Sequence, residues 1–123
     1  MYFGGANVGW VFSSTGHYQQ IGGVIFFACS ITVTTKGSSS GELAISLPVL
    51  PSSALPISIT SCNYFPVQDT TFTSATIISA AVAIGSSTMN LSWQGSTGTV
   101  SFLNASNILA SAIVNLSGFY FVA

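Results

Sequence analysis

The chain has 123 residues, of which 49% are hydrophobic and 2% charged, where an ordinary soluble domain carries about 25% charge. Lys36 is its one basic residue, and Glu42 and Asp69 are its two acids. That excludes the lysine and arginine clusters that hold a phosphate backbone or an anionic membrane surface, and nucleic acid with them. The length predicts one domain over residues 1–123, able to bury about two-thirds of the unfolded chain's surface.

Met1 to Gly9 holds three glycines and reads as an entry segment or edge strand. Val8 to Ser13 predicts a short strand closed by a turn at Ser14-Thr15-Gly16. Tyr18 to Ile21 then leads into the longest feature. From Val24 to Thr35, Phe27, Cys29, Ile31 and Val33 fall on one face and Ser30, Thr32 and Thr34 on the other. That period of two describes a strand with a dry and a wet side, expected at the centre of a sheet. Gly22-Gly23 punctuates its start, and the turn from Lys36 to Gly41 is expected to fold Leu43 to Ile45 back as a hairpin.

Pro48, Pro51 and Pro56 predict a crossing loop, because proline lacks the donor a central strand needs. Ile57 to Cys62 resumes a strand, and Asn63 to Thr73 reads as a loop carrying Tyr64, Phe65 and Asp69. Ser74 to Ile84 is apolar on both faces; a strand is favoured over a helix, placed in a core or at a subunit interface. Asn90 to Gln94 and Thr99 to Leu103 flank Gly95-Ser96-Thr97-Gly98 as a second hairpin. Asn104 to Leu109 fits a single helical turn or a loop. Ala112 to Val122 is a last strand, with Ser117-Gly118 marking a bulge. Many short strands with frequent turns predict an all-β protein, an antiparallel β-sandwich of jelly-roll-like form or a barrel.

The apolar run near Ile77 to Gly85 is too short for a spanning helix, which takes about 20 residues. The proline-bearing segment from Leu47 to Pro66 fits an outer-membrane barrel poorly. No membrane insertion is expected, and no basic, apolar leader opens the chain at Met1. Serine and threonine make up about a quarter of the residues, so hydroxyls rather than charges face water. A near-neutral chain with mean hydropathy +0.69 is expected to bury apolar surface in a closed homo-oligomer.

Catalytic chemistry has few players. His17, Glu42 and Asp69 are the acid–base stock beyond Lys36, the cysteines and the tyrosines, and nothing in their spacing brings the two carboxylates to one bond. Cys29 and Cys62 read as buried thiols rather than a disulfide. With one histidine they fall short of a structural zinc set, so no metal or other cofactor is expected. His17 reads as an exposed or hydrogen-bonded residue at a strand entry, and Lys36 as a solubilising turn residue that Glu42 could pair across the hairpin. Aromatic faces are the remaining binding candidates. Trp10, Tyr18 and Tyr120 are expected in core or subunit packing, whereas Tyr64, Phe65 and Trp93 lie in or beside loops and are the residues selected for stacking on a sugar ring.

One further pattern spans the chain. Gly16, Tyr18, Ile21 and Gly22 precede the long strand, and Lys36, Gly37, Ser38, Ser39 and Gly41 follow it. Phe3-Gly4-Gly5, Leu47-Pro48 and Ser117-Gly118-x-Tyr120 complete the set. This resembles the C-terminal modules of bacteriophage tail-fibre proteins, departing from them at His17, at Gln19-Gln20 and in its poverty of charge. The resemblance implies a homotrimer on the exterior of a virion, in contact with other virion proteins. It implies a non-enzymatic receptor-binding tip that touches host surface polysaccharide. Two other readings compete. A chain opening at Met1 without an attachment domain, coiled-coil shaft or collagen-like repeat is expected of a capsid decoration, or cement, protein of the same fold. A soluble carbohydrate-binding lectin is the third.

Overall fold

The computed structural model describes residues 1–52, 60–65, 75–82, 86–95 and 98–122, and among these residues period-two runs of β-branched and aromatic side chains form nine strands, with a 3-10 turn at Ala105–Asn107. The strands are β1 (Tyr2–Phe3), β2 (Val11–Ile21), β3 (Val24–Thr35), β4 (Leu43–Ser46), β5 (Thr60–Phe65), β6 (Ala75–Val82), β7 (Thr88–Gly95), β8 (Val100–Phe102) and β9 (Ile113–Phe121). They join in one sheet of order β1-β4-β7-β6-β5-β9-β3-β2, and β8 adds to β7 beside β4. Among the described residues every strand pair is antiparallel. The expectation of an all-β chain holds.

Several elements fall where the residue pattern puts them. The dry face of β3 is buried at Ile25, Phe27, Ile31 and Val33, with Cys29 half-buried. Ser74 to Ile84 supplies β6 as a strand, β7 and β8 form the second hairpin, and Ala105–Asn107 is a single 3-10 turn. Asn104 starts that turn with a capping box: its side chain accepts from the Ser106 N–H, while Asn107 Oδ1 accepts from the Asn104 N–H at 3.0 Å.

Five expectations are corrected. First, no turn interrupts Ser14 to Gly16; β2 runs unbroken for 11 residues. Gly16 is needed for proximity, not for turning: a Cβ there would lie 2.9 Å from the Cβ of Cys29 on the neighbouring strand. The turn comes later, at Gly22-Gly23, where Gly22 takes a left-handed φ of 58° between the paired Ile21 and Val24. Second, β3 is not central but next to the edge, between β9 and β2. Third, with both its sides taken, β3 cannot pair with β4; the segment from Lys36 to Gly41 crosses to the other end of the sheet, where β4 lies between β1 and β7. Fourth, Asn63, Tyr64 and Phe65 belong to β5, because β9 offers Asn115, Val114 and Ile113 as partners and Tyr and Phe suit a pleated surface. Fifth, the β3–β9 register passes Ser117 and Gly118 without a shift, so there is no bulge.

The sheet curls. β4 and β9 stand four places apart in it, yet Leu43 and Ile45 share one core cluster with Val114, Leu116 and Tyr120. Tyr120 closes the fold at this point. Its hydroxyl donates to the Val49 carbonyl at 2.9 Å and accepts from the Val49 N–H at 3.2 Å. Beyond it, Pro51 bridges to Val122 and the Ser52 N–H donates to the Phe121 carbonyl at 2.9 Å. The segment after β4 is thereby stitched to the end of β9. These bonds satisfy backbone groups that burial would otherwise leave unpaired.

The cysteines are settled by register. Cys29 and Cys62 both sit opposite Leu116, one on each side of β9. Two strand spacings, roughly 10 Å, separate their Cα atoms, beyond the ~7 Å a disulfide can span. Cys29 is a free thiol, and burial pushes its pKa up.

Candidate functional site

The three residues selected for sugar stacking do not form one site on loops. Tyr64 and Phe65 occupy β5, opposite Val114 and Ile113 of β9. Trp93 lies in β7 between Ile78 of β6 and Ser101 of β8, half-buried and packed against the core. β6 therefore stands between Trp93 and the other two. Trp10 and Tyr120 are buried core residues, as their packing role required; Trp10 stacks on Phe12 at 6.1 Å and donates its indole N–H to the Ser39 carbonyl at 3.3 Å. His17 lies in mid-strand, exposed, opposite Ala28. Lys36 and Glu42 are exposed, and the Glu42 carbonyl accepts from the Gly4 N–H at 3.0 Å. Asp69 lies outside the described residues. Among the described residues no three His, Cys, Asp or Glu side chains gather as a metal site.

What the fold does assemble is an apolar surface around β2. The strand register runs Gln19, Phe26 and Phe119 in one row across β2, β3 and β9, and Ile21, Val24 and Phe121 in the next. Phe26 and Phe119 pack at 6.0 Å between ring centres, and Phe121 meets Phe119 edge-on at 6.0 Å. Ile21 is 58%, Phe26 47% and Phe119 42% exposed. Together they leave on the order of 300 Å² of continuous apolar surface, comparable to the largest patch a typical monomer exposes, which is often functional. The residue pattern carried a signal for it: alternation fails from Val24 to Ala28, where both faces of β3 are apolar.

On the other side of β2, a cleft of about 370 Å³ opens between β2–β3 and the end of β4. Phe27, Cys29, Ile45, Leu47 and Met89 line it, and Tyr18 stands at its rim, 57% exposed. β2 thus overhangs the core on both faces; Phe12 alone along its length is half-buried. Ser74 to Ile84, expected in a core or at a subunit interface, supplies β6, which pairs with β7 along Ala75–Val82 and, among the described residues, with β5 at Ser79 and Ala80.

Comparison with protein-family models, with curated proteins and with solved structures returned no match. No helix of the described residues is long and apolar enough to cross a membrane.

Proposed function

We propose that the chain is a non-enzymatic module on the exterior of a phage particle: a trimeric β-sandwich that forms the receptor-binding tip of a tail fibre and touches host surface polysaccharide. The carrying observation is the uncovered apolar surface of β2, β3 and β9 in a chain with 2% charge. A free monomer of that composition invites uncontrolled association, whereas an assembled particle covers it. The curl of the sheet around one core supports the sandwich. The motif pattern from Gly16 to Gly41 supports the fibre.

A capsid decoration protein is the second reading. The placement of Tyr64 and Phe65 on a paired strand, and of Trp93 against the core, favours it, because it needs no glycan site. Quantitative mass spectrometry of purified particles, referred to the major capsid protein, separates the two. A few trimers per particle place the chain on the tail; hundreds of copies place it on the capsid. Absence from particles overturns both and leaves the soluble lectin.

A further inference from the structure

The free side of β2 is the least guarded feature of the molecule. Edge strands in stable monomers are kept short or carry lysine, proline, inward-pointing charge or bulges, because their unpaired N–H and C=O groups recruit other strands. β2 has 11 residues, none of them Lys, Arg, Asp, Glu or Pro, and its one irregularity lies at its very start, between Val11 and Phe12. Among the described residues, β3 is its one strand partner.

We infer that β2 docks a second copy of this chain, β2 against β2, antiparallel about a two-fold axis at Gly16. The strand is self-complementary in that register. Val11 meets the partner's Ile21, Phe12 meets the partner's Gln20, Ser13 meets the partner's Gln19, Ser14 meets the partner's Tyr18 and Thr15 meets the partner's His17. All 11 residues pair. The imidazole of His17 faces a threonine and not its own copy, and the strand holds no Lys, Arg, Asp or Glu, so no like charges oppose each other.

The apolar ends matter as well. Val11 is 53% exposed in one chain, and the pairing sets it beside the exposed Ile21 of the other, extending the Phe26–Phe119 surface across the axis. In an antiparallel pair half the residues exchange two N–H···O bonds, so a strand of this length supplies about ten inter-chain bonds, as many as an ordinary stable interface carries. A two-fold contact of this kind closes on itself and does not propagate into a fibril. It joins chains, or trimers, two by two. It is independent of the virion reading, which copy number per particle tests separately.

The test is a pair of charge designs in the whole chain, followed by mass in solution from sedimentation equilibrium, with near-ultraviolet circular dichroism reporting the fold. In this register T15K with H17K sets introduced ammonium groups against each other across the axis, whereas T15E with H17K sets opposite charges together. The unaltered chain is expected at an even multiple of 12.7 kDa; T15K/H17K halves that mass, and T15E/H17K restores it. Backbone amide exchange in the unaltered chain gives a second readout that needs no variant: β2 amides become protected as concentration rises through the association range. An odd-numbered assembly, a monomer with unprotected β2 amides, or a mass unmoved by T15K/H17K overturns the pairing. The monomer result would hand the edge to a strand from a different protein.

Discussion

The two edges of the sheet differ in almost every respect that governs association. β1 is two residues long, and the chain leaves it at once through Gly4 and Gly5, both at positive φ. The Gly4 N–H is already bound to the Glu42 carbonyl. β2 is 11 residues long, straight through Gly16, and exposed on both faces except at Phe12. A short, sharply turned edge offers a visiting strand nothing to pair with; a long uncharged one offers a full ladder. One sheet therefore has a closed end and an open end, and the open end also carries the packed, exposed rings of Phe26 and Phe119.

Three substitutions probe that contrast. The largest effect is expected at Gly16→Ala, which forces a methyl into the space held by the Cys29 Cβ at 2.9 Å and lifts β2 from β3. A loss of about 1–3 kcal/mol follows from such overpacking, read as a lower urea midpoint. Adding Cys29→Gly in the same chain should return most of it; no recovery would mean that the clash is not with that side chain.

Tyr120→Phe is next. It removes the hydroxyl that ties the segment after β4, on the closed side, to β9, on the open side. Leaving the Val49 backbone groups unsatisfied costs about 1–3 kcal/mol. Burial holds the Tyr120 phenol above its ordinary value of 10.0 and the Cys29 thiol above 9.0. Both groups are neutral when folded, so their contribution is complete below pH 9 and is lost as pH climbs through their raised folded values. Thermal unfolding followed against pH should fall on the alkaline side, and less steeply in Tyr120→Phe.

The smallest effect belongs to Tyr2→Lys on the closed edge, which should stay within about 0.5 kcal/mol and leave the mass in solution unchanged. A fall in mass there equal to that from T15K/H17K would erase the distinction between the edges.

How much of this could be read from residues alone depends on the range of the interaction. The dry face of β3, the hairpin of β7 and β8, the turn at Asn104 and the strand at Ala75–Val82 come from local periodicity and capping chemistry, and all were legible. Errors arose wherever a partner distant in sequence decided the outcome. Gly16 reads as a turn because glycine usually marks one, but Cys29 sets its role. Tyr64 and Phe65 read as loop until β9 supplies their partners, and the aromatic patch forms only when Phe119 comes alongside Phe26. A residue's own neighbours in the chain carry no trace of such long-range pairing.

The position of β9 has a consequence for how the chain acquires its shape. The β2–β3 hairpin can form from adjacent residues, and so can β7–β8. Among the described residues the two halves of the sheet, however, are joined through β9, which lies between β3 and β5 and comes last in chain order. The search for its partners, Val24 pairing with Phe121 at the extreme, spans nearly the whole sequence, and closing such distant contacts is the slow step in all-β folding. Until it is done, β3 as well as β2 is an unsatisfied edge. The final strand acts as a clasp that converts two sticky fragments into one sheet.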